Sequence, residues 1–150
     1  MKEILFVCTL NIGRSAMAEA IVNEVYGNDY HARSAGLYTG KARPMCRDAK
    51  DALIRAGYDE KKLDVKSSET LSEKLIASSD IVVGVTAEHA DALKRKFPAY
   101  ADKIITFPLD VRAPSAGDKE GYDACFYSLC EGIEKILYPD GSKWKPKSKE

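Results

Sequence analysis

Several features that mark large classes of protein are missing from this chain. No stretch reaches the roughly 18 consecutive apolar residues that a membrane-spanning helix needs. Lysine and arginine together number 23, as do aspartate and glutamate, so no net charge recruits nucleic acid or an anionic membrane surface. The sequence also has no internal repeat. We therefore expect neither a nucleic-acid partner nor insertion into a membrane.

Cysteine is scarce and irregularly spaced. The four cysteines lack the Cys-x2-Cys spacing of zinc sites; they are Cys8, Cys46, Cys125 and Cys130. Lys2, Glu3 and Ile4 begin a strand pattern and not a signal peptide, which favours the reducing cytoplasm and therefore free thiols. The sequence predicts no metal site, and it predicts an unreactive thiol, packed or partly exposed, at each of the last three cysteines.

The length and the distribution of periodic patterns indicate one domain. A chain of 150 residues is long enough to bury a core without disulfide bonds. Residues 1–138 carry strand and helix patterns and form the predicted domain. Residues 139–150 are rich in lysine, serine, proline and glycine and have no periodicity, so we expect a flexible tail there.

Apolar patterns along the chain alternate between strands and helices. Strands are predicted at four segments, namely Ile4–Val7, Tyr30–Ala35, Asp80–Val85 and Lys103–Phe107. Helices are predicted at Ser15–Tyr26 and Cys46–Ala56, from Ser68 onward, and after the caps Thr86 and Asp118. Alternating strands and helices form parallel sheets through right-handed crossovers. We therefore expect an α/β, single-domain, three-layer fold with a central parallel sheet of about four strands.

The segment between the first strand and the first helix carries the candidate chemistry. A nucleophile, Cys8, and a cation, Arg14, flank a five-residue loop; the loop reads Thr9, Leu10, Asn11, Ile12, Gly13, and Ser15 follows the arginine. Such a loop can turn successive backbone N–H groups inward, and the helix N-terminus adds positive potential. A phosphate dianion suits this site, and Arg14 can bind two of its oxygens. The same field favours a Cys8 thiolate, the form that attacks phosphorus.

This Cys-x5-Arg-Ser loop after a first strand resembles the phosphate-binding loop of the low-molecular-weight protein tyrosine phosphatases. The resemblance extends to the Ser-Ala-Gly turn at residues 34–36 and to the strand segment 80–86, and it covers nearly the whole chain. It implies that Cys8 is the nucleophile, that Arg14 and the loop bind phosphate, and that no metal or other cofactor takes part. It further implies that Ser15, also a possible helix cap, hydrogen-bonds the sulfur and that Asn11 adopts a left-handed conformation.

Three positions depart from the family pattern Cys-x-Gly-Asn-x-Cys-Arg-Ser-Pro. Leu10 replaces the glycine, Gly13 replaces the second cysteine, and Ala16 replaces the proline. Leu10 places a bulky side chain at the mouth of the loop. Gly13 removes the thiol with which relatives protect the nucleophile as a disulfide. Oxidation of Cys8 is therefore expected to proceed further unless another cysteine lies close to it.

The residue that would act as general acid is ambiguous in the sequence. The resemblance implies an Asp-Pro pair on a late loop, whose aspartate protonates the leaving group. If Pro114 and Tyr122 set the register, Ala113 stands at the position of that aspartate and the acid is missing. If the loop is reshaped, Asp110 supplies the acid. Asp110 is the candidate, and a turn-forming aspartate is the alternative reading.

Taken together, these residues predict a phosphomonoesterase that hydrolyses phosphotyrosine-like aryl phosphates through a cysteinyl-phosphate intermediate. Its expected partner is a phosphorylated protein or a small aryl phosphate, and we expect a monomer or a weak dimer. Ile12 offers an apolar wall to an aromatic ring, which favours phosphotyrosine over the phosphoarginine that some bacterial relatives hydrolyse. His31 and His89 are interpreted as packed or surface residues and not as catalysts.

Three other functions use a similar loop. Arsenate reductases of the family need a relay of further cysteines, and residues 82–93, where relatives carry them, contain none. A phosphoryl carrier also has a cysteine after its first strand, but Arg14 and the Ser-Ala-Gly turn argue against it. A module that binds phosphate or a phosphoprotein with weak or no turnover would follow from a missing acid. Turnover of an activated aryl phosphate separates such a module from an enzyme.

Overall fold

The computed structural model describes residues 1–139, so nearly all of the predicted tail lies outside the described residues. The strands are β1 (Lys2–Cys8), β2 (Tyr30–Gly36), β3 (Ile81–Gly84) and β4 (Ile104–Thr106). The helices are α1 (Arg14–Val25), α2 (Arg47–Arg55), α3 (Glu60–Asp64), α4 (Glu73–Ala77), α5 (Ala87–Lys96) and α6 (Lys119–Leu137). A 3₁₀ helix, Pro98–Lys103, lies between α5 and β4.

The four strands form one parallel sheet in the order β2-β1-β3-β4. Successive side chains of β1 point to opposite faces, as the pleat of a strand requires. Ile4 and Phe6 pack in one core with residues of α1, α2 and α6, whereas Leu5 and Val7 pack in a second core with α4 and α5. Helices therefore cover both faces, which confirms the three-layer α/β prediction and explains the continuous apolar run of β1.

The end of β1 lies where the crossover connections of the sheet change direction. The chain leaves β1 toward β2 on one side, and β3 lies on the other side. Open parallel sheets bind ligands at such a switch point, outside the carboxyl ends of the strands. Cys8 is the last residue of β1, so the topology places the predicted nucleophile at this point.

Two local predictions differ from the observed helices. The helix expected from Ser68 begins at Glu73, because Ser72 accepts a hydrogen bond from the Leu75 N–H at 3.3 Å and so acts as its N-cap. The preceding segment instead lies alongside the end of β2, where Thr70 forms a bridge with Gly36. The short helix α3 was not predicted; five residues are too few to show a helical apolar period.

Helix length and polarity bear on the membrane prediction. Within the described part of the chain, none of the helices combines the length and the apolar character that crossing a bilayer demands. The longest, α6, has 19 residues, and it is amphipathic, with an apolar stripe packed on α1 and α2.

Candidate active site

The Cys8 sulfur lies at the floor of a cavity of about 240 Å³ formed by the loop between β1 and α1. Cys8 is 4% exposed. Its Sγ accepts a hydrogen bond from the backbone N–H of Asn11 at 3.3 Å and lies 2.8 Å from Ser15 Oγ. The structure thus brings the predicted nucleophile, the loop and the hydroxyl of Ser15 together, in the arrangement that the resemblance implies.

Asn11 fixes the curl of this loop. Its φ is 62°, in the left-handed region that asparagine tolerates better than most residues, and Leu10 is not among the positive-φ residues of the described chain. The side-chain amide Nδ2 donates to Ser15 Oγ at 2.8 Å, and Oδ1 accepts from the backbone N–H of Glu69 at 2.9 Å. Because Ser15 Oγ accepts from Asn11, its own proton is free to donate to the Cys8 sulfur.

Gly36, at the end of β2, lets the loop lie close to the sheet. A Cβ at this position would lie 2.7 Å from the carbonyl oxygen of Thr9 and 3.0 Å from the carbonyl carbon of Leu10. The next two residues secure the loop, since Leu37 donates to the Cys8 carbonyl and Tyr38 to the Thr9 carbonyl, each at 3.0 Å. The small-residue turn at 34–36 is therefore part of the site.

Arg14 is the first residue of α1 and lines the same cavity. Its Nη1 donates to the carbonyl oxygen of Val111 at 2.9 Å, which ties the guanidinium to the loop between β4 and α6. A Cβ added at the neighbouring Gly13 would meet no atom within 4 Å, so there is room for the cysteine that the family pattern carries at this position. The loop and Arg14 together supply the positive groups that an anion in the cavity requires.

The opposite wall of the cavity is largely apolar. Besides the loop residues, the cavity is lined by Cys46, Ala113, Pro114 and Tyr122. Burial, together with the nearby Cys46, raises the pKa of Tyr122 to about 12, so its phenol stays protonated. Among the described residues, those that line the cavity include no aspartate or glutamate.

Asp110, the candidate acid, is placed outside this cavity. Val111 is buried in the core, so the residues on either side of it point to solvent. The side chain of Asp110 is 77% exposed, and its carboxylate lies 3.6 Å from Nε of Arg112. Ala113 and Pro114 line the cavity instead, which is the register in which Ala113 takes the position of the family's aspartate.

His89 is packed, as predicted, and it also contacts the loop of the site. It is buried at the start of α5, and its Nε2 lies 3.0 Å from Thr9 Oγ1. Burial, and secondarily the charge of Arg14, lower the pKa of His89, which keeps it neutral near pH 7. Eighty residues separate the two partners in sequence, so only their meeting at the ends of β1 and β3 reveals the contact. His31 is a surface residue paired with Glu3.

The other thiols differ in their access to the nucleophile. Cys46 is half-buried, which agrees with the predicted packed or partly exposed thiol, and it lines the cavity together with Cys8. Burial raises the pKa of both Cys125 and Cys130 to about 11, so both remain protonated thiols at neutral pH. Within residues 1–139, no group of three or more histidine, cysteine or acidic side chains is arranged to hold a metal ion.

The comparisons with known proteins agree with this geometry. A family model for the low molecular weight phosphotyrosine protein phosphatases matches residues 3–143. The chain belongs to this family. It is accordingly a hydrolase of the phosphatase type, and phosphatases of the family act on phosphorylated proteins.

Relatives within the family differ in their named activities. The chain is 37% identical to the protein-arginine-phosphatase of Bacillus subtilis (strain 168) over 69% of each chain. It is 30% identical to an arsenate reductase of Staphylococcus aureus over 68% of this chain and 72% of the relative. The structure of a low molecular weight protein tyrosine phosphatase from T. tengcongensis superposes with a TM-score of 0.83 at 30% identity, covering 93% of this chain and 99% of the other.

Proposed function

We propose that this protein hydrolyses aryl phosphate monoesters of the phosphotyrosine type through a cysteinyl-phosphate intermediate on Cys8. The observation that carries the proposal is the setting of the Cys8 sulfur. It lies at the floor of a cavity, accepts the Asn11 N–H, contacts the Ser15 hydroxyl, and shares the cavity with Arg14. These donors stabilise negative charge on sulfur, and an anion enters the same cavity from the open side.

In the first step, the Cys8 thiolate attacks phosphorus in line with the leaving oxygen, and the phosphoryl group passes to sulfur. The loop N–H groups and Arg14 stabilise the negative charge on the equatorial oxygens, and the guanidinium can bind two of these oxygens at once. The present contact of Arg14 with the Val111 carbonyl uses one of its five N–H donors. In the second step, water attacks the cysteinyl phosphate and releases inorganic phosphate, which restores the thiolate.

The apolar wall supports an aromatic substrate. Ile12 and Pro114 line the cavity with Tyr122, and a phenyl ring gains free energy by leaving water against such surfaces. A phosphorylated guanidine carries several N–H donors, which need carboxylate or carbonyl partners when they are buried. The absence of acidic side chains among the described lining residues therefore favours phosphotyrosine, whereas the arginine phosphatase activity is named for a relative.

The assignment of the acid to Asp110 stays a prediction that requires the loop from 107 to 118 to rearrange. In the described conformation, Val111 would have to leave the core for Asp110 to reach the cavity. With Ala113 at the cavity wall, leaving-group protonation rests on solvent unless that rearrangement occurs. We therefore propose that the enzyme favours substrates whose leaving group departs as a stable anion.

Arsenate reduction is a second candidate, favoured by the position of Cys46 in the cavity. Reduction requires a second thiol to break the bond between arsenic and Cys8 sulfur, and relatives use a relay of several cysteines. The other two thiols, Cys125 and Cys130, are buried and remain protonated, because burial raises the pKa of each to about 11. We expect arsenate to inhibit competitively, with Cys8-dependent consumption of thioredoxin or glutathione at background. Clear consumption that is lost in Cys46→Ser would favour the reductase.

The substrate proposal is tested by comparing phosphotyrosine and phosphoarginine peptides of the same sequence. The wild type is expected to have the higher kcat/KM on phosphotyrosine. Ile12→Thr introduces a hydroxyl that can accept from a guanidinium, and Ile12→Val is the control of matched shape without it. Only the threonine variant is expected to shift the ratio toward phosphoarginine, by about tenfold for one recovered polar contact. A wild type that prefers phosphoarginine would contradict the proposal.

A further inference from the structure

The protonation of the His89 ring is fixed by its contacts with the residue that caps α5. The backbone N–H of Thr86 donates to His89 Nδ1 at 3.2 Å, and the N–H of His89 donates back to Thr86 Oγ1 at 3.2 Å. A backbone amide can only donate, so Nδ1 accepts from it and carries no proton; the Thr86 hydroxyl, whose Oγ1 lies 2.9 Å from Nδ1, then donates to the same nitrogen. A neutral imidazole has one N–H, which therefore stands on Nε2.

The Nε2–H of His89 in turn determines the orientation of the Thr9 hydroxyl. The two atoms Nε2 and Thr9 Oγ1 lie 3.0 Å apart, so the histidine donates and the threonine oxygen accepts. The hydroxyl of Thr9 still has its own proton, which must point away from the histidine. Thr9 lines the cavity beside Cys8, so the residue that carries this proton borders the proposed anion site.

We propose that the Thr9 hydroxyl donates a hydrogen bond to the phosphoryl group held by the loop, and that His89 is the positioning residue that keeps this hydroxyl in its donor orientation. The inference rests on the proposed function of the loop as a phosphate site. It adds one side-chain donor to the loop N–H groups and Arg14. It also gives the capping motif of α5 a role in the reaction beyond the stability of that helix.

The neutral state of His89 is part of this arrangement. Burial and the charge of Arg14 lower its pKa, and Glu88, on the same helix, acts weakly in the opposite direction. A proton on Nδ1 would face the Thr86 N–H, so protonation would cost the ring its contact with that backbone amide. The described contacts of the ring are therefore those of neutral His89, the state that its lowered pKa favours at neutral pH.

Two substitutions of similar shape separate the donor from the acceptor. His89→Gln can accept from Thr86 and donate an amide N–H to Thr9, whereas His89→Glu can accept from Thr86 but offers Thr9 only an acceptor. The Glu variant should turn the Thr9 proton toward the carboxylate and away from the anion. We expect inorganic phosphate to bind H89E about tenfold more weakly than the wild type, and H89Q to remain within about threefold.

The variant Thr9→Val distinguishes the hydroxyl from the added charge of the glutamate. If the effect passes through the hydroxyl, H89E and H89Q should bind phosphate nearly equally in the Thr9→Val background. If H89E still binds phosphate about tenfold more weakly than H89Q in that background, the inference is overturned, because the loss of affinity would then come from the charge alone. Thr9→Ser should retain phosphate affinity, and a loss equal to that of Thr9→Val would also overturn the inference.

Direct observation of the ring tests the inference even where a variant fails to fold. The ¹⁵N shifts of the wild-type histidine rings at pH 7.5 should show the Nε2–H tautomer for His89, with His31→Gln used to assign the signals. A Nδ1–H tautomer would overturn the inference. Phosphate affinity is measured by calorimetry without any turnover. If the wild type binds phosphate but the variants of His89 and Thr9 do not behave as expected, only this inference is refuted. A wild type that does not bind phosphate would refute the proposed function as well.

Discussion

The substitution Ala113→Asp should restore a general acid to the cavity. Ala113 is exposed on a loop, and it lines the cavity with Pro114. We expect an aspartate there to place its carboxyl at the cavity, near the leaving oxygen of a bound substrate. Substitution of an exposed loop residue is expected to change the free energy of unfolding by less than about 0.5 kcal/mol, so changes in rate should report on chemistry.

The size of the gain depends on how much protonation the leaving group needs. A nitrophenolate departs as a stable anion, whereas the phenolate of tyrosine, with a pKa of about 10, needs a proton. A positioned acid contributes about 10²–10⁴-fold. We therefore expect A113D to raise kcat/KM for phenyl phosphate toward that range and to change the rate for p-nitrophenyl phosphate little. The wild type should show a steep loss of rate from the activated to the unactivated substrate.

A bound phosphate dianion keeps the new carboxyl protonated. Like charges a few ångströms apart in a partly buried site repel by several kcal/mol, which raises the pKa of the carboxyl in the complex. The pH profile of A113D on phenyl phosphate should therefore gain an alkaline limb that the wild type lacks. Ala113→Asn, with the same shape and no acidic proton, is the matched control and should show neither the gain nor the limb.

Asp110→Asn tests the alternative source of the acid. If Asp110 already acts after a loop rearrangement, D110N should lower the phenyl phosphate rate and A113D should add little. If Asp110 stays at the surface beside Arg112, D110N should leave the rate near that of the wild type. Should neither A113D nor D110N change the dependence on leaving group, then neither residue is the acid, and the reasoning about this loop is refuted.

Three further predictions concern the loop and its supports. Cys8→Ser should abolish turnover yet retain vanadate binding, because no base is present to ionise the serine; near-normal hydrolysis would refute the covalent mechanism. Arg14→Lys should cost about a hundredfold or more in kcat, measured on p-nitrophenyl phosphate, since one preorganised bidentate donor is lost; an unchanged rate would place Arg14 outside the reaction. The free energy of unfolding should fall as the pH drops below 6.5, the ordinary pKa of histidine. In that range His89 is protonated in the unfolded chain but stays neutral in the folded protein, because its folded pKa is lowered. The loss should level off below the folded pKa, and urea unfolding should show a smaller loss in His89→Gln than in His31→Gln; equal losses would contradict the lowered pKa of His89.

The parts of the site that follow from local sequence could be predicted. The nucleophile loop lies within eight consecutive residues, and an apolar strand before it and a helical pattern after it fix both of its ends. Asn11 was assigned its left-handed conformation through the resemblance, and φ of 62° confirms it. The cap of α5 at Thr86 likewise rests on local chemistry and is confirmed. In each case the interacting atoms are a few residues apart, so the pattern of residue types carries the geometry.

The contacts between distant segments could not be predicted in the same way. Arg14 meets the Val111 carbonyl across 97 residues, and Asn11 meets the Glu69 N–H across 58. Both acceptor and donor on the far side are backbone groups, which every residue carries, so no residue type marks them in the sequence. The position of Asp110 depends on whether its neighbour Val111 is buried, and only the packing of the whole core decides this.

The structure separates two tasks that an efficient phosphatase must combine. In the proposed mechanism, phosphate binding and support of the thiolate depend on the loop, α1 and the ends of β2 and β3, which hydrogen bonds connect. Protonation of the leaving group depends on the loop between β4 and α6, and the cavity wall there carries Ala113 instead of a carboxyl. Because the two tasks lie on different elements, loss of the acid need not disturb the anion site. We therefore expect this protein to bind phosphate and vanadate, while its rate follows the stability of the leaving anion.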